Sequence, residues 1–199
     1  MVFQNIFIYL SFLILSYLIG SLPFSHWVAL SKGYDLRKIG SGNTGATNVY
    51  RTLGLKFAIF AGFLDAMKGF LPVFLSRYIF FANNEIFAIL VGVAAIFGHI
   101  SSPFMRFRGG KGVATAAGAF LGLDPGALTV GFIVWFMTLK RTKIMSLASI
   151  FGASSVLIYE ILIGSIYLKT VSIVAFLMIL FRHKDNIQRL IKGEELRLK

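Results

Sequence analysis

Residues 6–22 read IFIYLSFLILSYLIGSL, a run of 17 residues without a charged side chain. A second run covers residues 144–166, in which Glu160 is the one charged side chain. An α-helix needs about 20 mainly apolar residues to cross the hydrocarbon core of a bilayer. Because no water is available there to bond the backbone, such segments must be helical. The two runs therefore predict an all-α integral membrane protein.

The composition of the whole chain agrees with a membrane location. Its 199 residues are 57% hydrophobic and 15% aromatic, with a mean hydropathy of +0.79, which is too apolar for an ordinary soluble domain. The chain has 20 basic and 8 acidic residues, a net charge of +12, and no cysteine. The absence of cysteine excludes thioester intermediates, disulfides and thiolate metal ligands. The first apolar segment lacks a preceding basic stretch and a cleavage site of small residues, so we interpret it as a retained helix.

Turn residues and charges divide the chain into seven apolar segments. If the N-terminus lies outside the cell, the loops that face the cytoplasm, with the adjoining helix ends, hold 17 of the 20 basic residues. The exceptions are Lys68, Arg77 and Lys169. This bias predicts about seven transmembrane helices, with five to seven possible, an N-terminus outside and a cytoplasmic C-terminus. No repeat or linker is apparent, so residues 1–199 are predicted to form a single domain. The segments cover roughly residues 2–30, 52–80, 85–101, 112–123, 126–139, 144–166 and 170–182.

The first of three polar stretches, residues 40–48, reads GSGNTGATN and is followed by Arg51. Three glycines let backbone N–H groups turn toward an anion, and the hydroxyl and amide side chains add further donors. The alternative interpretation is a flexible loop with a helix cap at Thr47 or Asn48.

The second stretch, residues 106–112, reads RFRGGKG and precedes a helix predicted to begin near Val113. A glycine-rich loop that carries a lysine at a helix N-terminus favours anion binding, because unpaired N–H groups and the helix dipole both attract negative charge. The spacing differs from that of a Walker loop, and no strand precedes it. The alternative is a basic cytoplasmic loop whose glycines serve tight packing.

The third stretch, residues 182–189, reads RHKDNIQR. On a single helix, Arg182, His183, Asn186 and Arg189 would share one face. His183 is suited to proton transfer or to binding an oxyanion. Taken alone, this stretch would indicate only a basic helix on the membrane surface. The predicted topology places all three stretches on the cytoplasmic side, and this convergence indicates a site for anionic substrates.

Other polar residues are weaker candidates. His99 ends the third segment, where it either caps the helix or contacts a substrate. Asp65 and Lys68 lie three residues apart in a membrane helix, a spacing equally typical of an ion pair that serves folding. Ser146 and Ser149 begin the sixth segment, and helix capping is the alternative for Ser146. Carboxylates and histidines are not grouped with ligand spacing, so no metal is predicted.

Together these stretches resemble the PlsY family, the bacterial acyl phosphate-dependent glycerol-3-phosphate acyltransferases. Arg108 stands where the family usually has lysine, which keeps the charge but changes the donor geometry. The pairs Leu64-Asp65 and Lys68-Gly69 and residues 146–149 match as well. The main resemblance is carried by residues 40–51, by Gly98-His99 with residues 108–115, by Arg182-His183 through Asn186, by Arg189-Leu190 and by Gly193-Glu194.

The resemblance implies transfer of a fatty acyl group from acyl phosphate to the 1-hydroxyl of sn-glycerol 3-phosphate. The products are lysophosphatidic acid and phosphate, an early step of phospholipid biosynthesis. The resemblance further implies no cofactor, no nucleic acid partner, a multi-pass location in the bacterial cell (inner) membrane with a cytoplasmic active site, and transient contact with a soluble enzyme that makes acyl phosphate. An acyl phosphate carries a good leaving group, so no covalent intermediate is needed.

Specific roles are hypotheses that combine the resemblance with the chemistry of the side chains. The phosphate of glycerol 3-phosphate is assigned to Lys111, the backbone of Gly109 and Gly110, and Ser149. The acyl phosphate is assigned to Ser41, Asn43, Thr47 and Arg51. His183 and Asn186 are predicted to orient the attacking hydroxyl, and either His183 or the acyl phosphate takes its proton. Supporting roles are predicted for Thr44, Arg108, His99, Ser146, Asp65, Lys68 and Glu194.

The main alternative function is a small transporter or channel for an anionic metabolite. Transporter sites usually lie near the bilayer midplane, where this chain has few polar residues besides Asp65 and Lys68. An acyltransferase with an HxxxxD motif is disfavoured, because none of His26, His99 and His183 is followed by aspartate five residues later.

Overall fold

The computed structural model describes residues 2–82 and 84–198, with side chains described from residue 6 onward. Within these ranges the chain is helical and contains no β-strand. Lys199, the last basic residue of the predicted cytoplasmic tail, lies outside them. The helices divide into two compact units, residues 1–123 and residues 124–199.

The first unit contains the helices that carry the first two polar stretches. Proline lacks a backbone N–H, and α1 and α2 are separated at Leu22-Pro23. A short helix, α3, was not predicted as a separate element. A π-helical turn, Leu75–Phe80, extends α4, and a 3₁₀ turn, Pro103–Met105, follows α5. The α-helices are α1 (Val2–Ser21), α2 (Phe24–Leu30), α3 (Ala46–Leu53), α4 (Leu55–Phe74), α5 (Glu85–Ile100) and α6 (Val113–Leu123).

Glycines bring α4 and α6 into close backbone contact. A Cβ atom on Gly69 of α4 would collide with the carbonyl group of Thr115, and one on Gly118 of α6 would collide with that of Ala66. In lipid, helix association depends on such close packing, because the surrounding acyl chains are as apolar as the side chains. One glycine on each helix therefore fixes how α4 and α6 pack.

The second unit consists of α7 (Pro125–Thr142), α8 (Met145–Ile163), α9 (Ile166–Arg182) and α10 (Lys184–Ile191). Asp124 caps α7, because its Oδ1 accepts hydrogen bonds from the N–H groups of Gly126 and Ala127 at 2.8 and 3.0 Å. This cap separates α6 from α7, in agreement with the break between the predicted segments 112–123 and 126–139. The helix α10, which carries part of the third polar stretch, is bent by 63° relative to α9.

Among the described residues, four helices are long and apolar enough to cross a membrane: Ile6–Leu30, Leu55–Phe80, Glu85–Met105 and Met145–Ile163. A fifth is added if α9 and α10 form one bent span. All seven predicted apolar segments are helical, but α6 has only 11 residues, or about 17 Å against a core of roughly 30 Å. The all-α membrane architecture is confirmed, whereas seven spans and the orientation of the termini stay predictions.

Candidate active site

The first polar stretch forms a loop that folds back on the start of α3. Gly40 and Gly42 have φ angles of 59° and 69°, a conformation that residues with a side chain rarely adopt. Leu36, before the loop, and Val49, after it, are buried in one apolar cluster with Ala29 and Ala61. The loop therefore consists of glycine turns flanked by buried apolar residues.

Asn48 connects this loop to α3. Its Nδ2 donates hydrogen bonds to the carbonyl groups of Leu36 and Ile39 at 3.1 and 3.0 Å, and its Oδ1 accepts one from the N–H of Ser41 at 3.2 Å. The side chain is fully buried. The residue that caps α3 is Gly45, which provides no side-chain bond. The alternative of a helix cap at Thr47 or Asn48 is therefore wrong, because Asn48 lies within the first turn and bonds the preceding loop.

The predicted site residues of this stretch differ in burial. Ser41 is exposed on the loop, Thr44 is buried, and Asn43, Thr47 and Arg51 are partly buried. Thr47 and Arg51 lie one helical turn apart on α3 and so share a face. That face offers a hydroxyl and a guanidinium group, both suited to phosphate oxygens.

Arg37 is held by a neighbouring carboxylate. Its Nε and Nη2 donate to the two oxygens of Asp35 at 2.9 and 2.7 Å. The hydrogen bond from this guanidinium group keeps the pKa of Asp35 well below its usual range. The positive charge of Arg37 is thus balanced within its own loop.

The second polar stretch is attached to the end of α5. The N–H groups of Gly109 and Gly110 donate to the carbonyl groups of Ile100 and His99 at 3.0 and 3.1 Å. A Cβ atom on Gly110 would collide with the imidazole of His99. These two hydrogen bonds hold the shape of the loop, and the contact of the Gly109 and Gly110 backbone with phosphate stays a prediction. Lys111, which is partly buried and lies two residues before α6, stays the predicted phosphate ligand, and Arg108 is exposed.

Asp65 and Lys68 form a buried ion pair inside the first unit. The Nζ of Lys68 lies 2.9 Å from Oδ1 of Asp65 and donates a hydrogen bond to the carbonyl of Leu22 at 2.7 Å. Ser25 donates to Oδ2 of Asp65 at 2.5 Å. The Leu22 carbonyl lies where α1 and α2 are broken, and such freed groups must be satisfied by side chains in a membrane. These contacts favour the folding interpretation of the pair.

His99 lies between this ion pair and the second loop. Its Nδ1 is 3.9 Å from Oδ1 of Asp65, and its ring packs against Gly110. On α6, Thr115 donates to the backbone carbonyl of Asp65 at 2.9 Å. The predicted supporting residues Asp65, Lys68 and His99 therefore form one buried group beneath the lysine-bearing loop.

In the second unit, His183 lies at the bend between α9 and α10. The prediction that Arg182, His183, Asn186 and Arg189 share one helix is wrong, because α9 ends at Arg182 and the chain turns at His183. Nδ1 of His183 lies 2.8 Å from the carbonyl oxygen of Ile179. A carbonyl only accepts, so Nδ1 carries the hydrogen, and in the neutral ring the lone pair lies on Nε2.

A second polar group in this unit is centred on Glu195. Its carboxylate accepts hydrogen bonds from Ser146 Oγ, Asn186 Nδ2 and Arg189 Nε at 2.9, 2.6 and 2.7 Å. Burial alone would raise the pKa of Glu195, but these three hydrogen bonds outweigh it and lower the pKa. The N–H of Leu198 also donates to the carbonyl of Lys143 at 2.7 Å. The tail is thereby tied to the start of α8.

The other predicted site residues of this unit are Ser146, Ser149 and Glu194. Ser146 does not cap α8, because the N-cap is Ile144, and its hydroxyl instead bonds Glu195. Ser149 is buried about one turn further along α8. Glu194, predicted as a supporting residue, is exposed, and its neighbour Glu195 makes the contacts. Among the described residues, no group of three or more histidine, aspartate or glutamate side chains is placed to hold a metal ion.

Sequence comparisons connect this arrangement to known proteins. A family model described as glycerol-3-phosphate acyltransferase matches residues 10–193. The glycerol-3-phosphate acyltransferase of Geotalea daltonii is 40% identical over 181 residues, covering 90% of this chain and 92% of that protein. The enzyme of the same name from Staphylococcus carnosus is 40% identical over 200 aligned positions, covering 94% and 96%.

Two crystal structures of PlsY (YgiH), described as an integral membrane glycerol 3-phosphate acyltransferase, have a similar fold. The glycerol 3-phosphate form superposes with a TM-score of 0.91 and 38% identity, covering 96% of both chains. The lysophosphatidic acid form gives a TM-score of 0.89 and 36% identity, covering 96% of this chain and 95% of that one.

Proposed function

The chain belongs to the glycerol-3-phosphate acyltransferase family, and we propose that it transfers a fatty acyl group from acyl phosphate to the 1-hydroxyl of sn-glycerol 3-phosphate. The observation that carries this proposal is the family match over residues 10–193, which includes all three polar stretches. The solved relatives are described in glycerol 3-phosphate and lysophosphatidic acid forms, which supports this acceptor and this product. The acyl phosphate donor rests on the resemblance of the motifs.

The proposed reaction is a direct displacement. The 1-hydroxyl oxygen of glycerol 3-phosphate forms a bond to the carbonyl carbon of the acyl phosphate. The bond from that carbon to the bridging phosphate oxygen breaks, and phosphate leaves with the electron pair. The hydroxyl proton goes either to Nε2 of His183 or to an oxygen of the departing phosphate. No covalent enzyme intermediate is needed, because the mixed anhydride is already activated.

In the first unit, the two loops supply the phosphate-binding groups of the proposal. Arg51 and Thr47 share a face of α3, and we assign them, with Ser41 and Asn43, to the acyl phosphate and to the charge that develops on its carbonyl oxygen. Lys111 is assigned to the phosphate of glycerol 3-phosphate.

In the second unit, His183 and Asn186 are assigned to the attacking hydroxyl. The bond from His183 Nδ1 to Ile179 fixes the tautomer that presents an acceptor at Nε2. Asn186 is oriented by its hydrogen bond to Glu195. Ser149 is assigned to the phosphate of the acceptor substrate, and these assignments rest on the motif resemblance together with the local geometry.

The membrane arrangement completes the proposal. We propose seven spans, with the N-terminus outside and the three polar stretches on the cytoplasmic side of the bacterial inner membrane. The distribution of basic residues supports this orientation. On that side, a soluble enzyme that produces acyl phosphate would be the transient partner, and the acyl chain would stay in lipid. The whole chain would then act as one acyltransferase domain.

Transport of an anionic metabolite is the weaker alternative. Its best support was the charged pair within the membrane, but Asp65 and Lys68 bond each other, Ser25 and the broken end of α1. Charges committed to these contacts do not line a path for a solute.

The proposal is tested by phosphate release from the detergent-solubilised protein. The protein is given palmitoyl phosphate with glycerol 3-phosphate, with palmitoyl-CoA as an alternative donor and without acceptor as a control. We expect acceptor-dependent phosphate release, with lysophosphatidic acid formed only from palmitoyl phosphate. Acyl transfer from palmitoyl-CoA at a similar rate would refute the donor assignment, and no transfer by folded protein would refute the function.

Two variants test the roles of the cations. For Arg51→Ala we expect turnover to be nearly abolished in folded protein, because transition-state charge is left without its guanidinium group. For Lys111→Ala we expect the KM for glycerol 3-phosphate to rise more than kcat falls. Arg37→Ala is the matched control, because Arg37 is engaged by Asp35. Wild-type turnover in Arg51→Ala, or an unchanged KM in Lys111→Ala, would remove that residue from its role.

A further inference from the structure

The loop that carries Ser41 has little packing of its own to hold its shape. Gly40, Ser41 and Gly42 are all exposed, and both glycines have positive φ angles. Glycine has the largest conformational freedom of any residue. A loop that must hold a reactive side chain in one position therefore needs an anchor elsewhere.

The buried Asn48 side chain meets that need with three hydrogen bonds. It donates to the carbonyl groups of Leu36 and Ile39 and accepts from the N–H of Ser41. It thus joins three points of the loop, residues 36, 39 and 41, to the first turn of α3. Gly40 passes so close that a Cβ atom there would collide with Oδ1 of Asn48.

Asn48 also lies one turn before Arg51 on the same short helix. Ser41 is thus connected to Asn48 by a hydrogen bond from its backbone N–H, and Asn48 is connected to Arg51 by the backbone of α3. We propose that Asn48 is a positioning residue, which holds Ser41 in a fixed relation to Arg51 so that both act on the acyl phosphate. This inference rests on the proposed function, because it gives the loop a purpose in that reaction.

The chemistry of the contact requires a carboxamide at this position. Two donors face two carbonyl groups, and one acceptor faces one N–H. Aspartate of the same size keeps the acceptor but places a carboxylate against two carbonyl oxygens. Alanine leaves all three backbone groups without their partner. Neither replacement alters the side chain of Ser41 or of Arg51, so a catalytic defect would arise from the position of the loop.

The test compares Asn48→Ala and Asn48→Asp with the control Thr52→Val in the full-length solubilised protein. Thr52 lies on the same helix, and its hydroxyl donates to the backbone carbonyl of Asn48 at 2.9 Å, a hydrogen bond within the helix. For both Asn48 variants we expect kcat with palmitoyl phosphate to fall about 100-fold, the effect of misplaced reacting groups. We expect the KM for glycerol 3-phosphate to change less than about threefold. Thr52→Val is expected to behave as wild type.

A second variant approaches the same contact from the exposed side of the loop. Gly40→Ala forces its methyl group against Asn48, at a φ angle of 59° that residues with a side chain rarely adopt, and should lower kcat in the same way. Because both changes displace the same loop, the defects are not expected to multiply in the double variant. Kinetic defects that multiply in the double variant, or wild-type kcat in Asn48→Ala, would overturn the proposal. Gly40→Ala keeps the test available if the Asn48 variants fail to fold.

Hydrogen exchange separates failure of this inference from failure of the proposed function. In folded Asn48→Ala, amide exchange of a peptide covering residues 36–44 is expected to be at least about tenfold faster than in wild type, because the anchor is lost. This measurement needs no substrate. Unchanged exchange would refute the anchor even in an active enzyme, whereas faster exchange in a protein without acyltransferase activity would refute the proposed function alone.

Discussion

Replacement of Glu195 by alanine is expected to destabilise the second unit strongly. The carboxylate is the acceptor for Ser146 and Asn186, which are 4% and 6% exposed, and for Arg189. A buried donor left without its partner costs about 1–3 kcal/mol. The side chain of Arg189 is 37% exposed, and its guanidinium group can turn to water, so it adds little. The expected loss in the free energy of unfolding is therefore about 2–6 kcal/mol.

Thermal unfolding of the detergent-solubilised protein measures this loss. Such a change corresponds to a decrease in Tm of about 5–20 °C for a protein of this size. Glu194→Ala is the matched control, because Glu194 is the adjacent and exposed glutamate. We expect that control to unfold within about 2 °C of wild type, as surface substitutions usually do. Equal melting of the two variants, or a wild-type Tm for Glu195→Ala, would refute the assignment of Glu195 as the centre of this cluster.

The same residue predicts how stability depends on pH. Because the pKa of Glu195 is lower in the folded protein than its ordinary value of 4.5, the ionised form stabilises the fold above that pH. This contribution is lost as the pH falls through the lower folded pKa. We expect the difference in Tm between wild type and Glu195→Gln to narrow as the pH is lowered below about 4.5. A difference that stays constant from neutral to acid pH would contradict the pKa argument.

For the buried ion pair, Asp65→Asn or Lys68→Met is expected to lower the free energy of unfolding by about 3–5 kcal/mol, because one buried charge loses its partner. The double variant is expected to lose less than the sum of the two single losses, because it leaves no unpaired charge. Additive losses in Tm would contradict this expectation. Gly110→Ala is expected to raise the KM for glycerol 3-phosphate, because the added methyl group displaces the loop from His99. The double variant Gly110→Ala with His99→Ala is expected to regain part of the lost affinity. A wild-type KM in Gly110→Ala would argue against this contact. Arg77→Met is expected to lower the free energy of unfolding by about 1–3 kcal/mol, because Arg77 donates hydrogen bonds to the carbonyl groups of Gly122 and Leu123 at the end of α6. An unchanged Tm would show that these two carbonyl groups find other partners.

The sequence predicted the membrane helices well because their signal is local. A long apolar segment has one low-energy structure in lipid, so the positions of α4, α5 and α8 follow from hydropathy. The helix α3 was missed because it has only eight residues, ATNVYRTL, and follows directly after a glycine-rich stretch, although Ala46, Val49 and Leu53 have helical spacing. Its place is set by Val49 packing against Leu36 and Ala61, and such tertiary contacts are not visible in a window of sequence.

The polar stretches were also found from sequence, but the connections between their residues were not. Nothing distinguishes Glu194 from Glu195 in the order of residues, since two adjacent glutamates satisfy the same pattern. The choice is made by the turn at Gly193, with a φ angle of 73°, after which one carboxylate lies against α8 and α10. In the same way, Asn48 resembled a helix cap because asparagine favours both roles.

His99 shows that the division of polar residues into folding and catalytic groups is incomplete. Within the first unit, Asp65 bonds Ser25 and Lys68. It also faces Nδ1 of His99, and the ring of His99 packs against Gly110. The loop that presents Lys111 therefore rests on a side chain whose other face meets a buried charge. If the ion pair served folding alone, variants at Asp65 that still fold would leave the KM for glycerol 3-phosphate unchanged. Because His99 joins the two groups, we expect Asp65→Asn to change that KM in the folded fraction, in proportion to the displacement of His99.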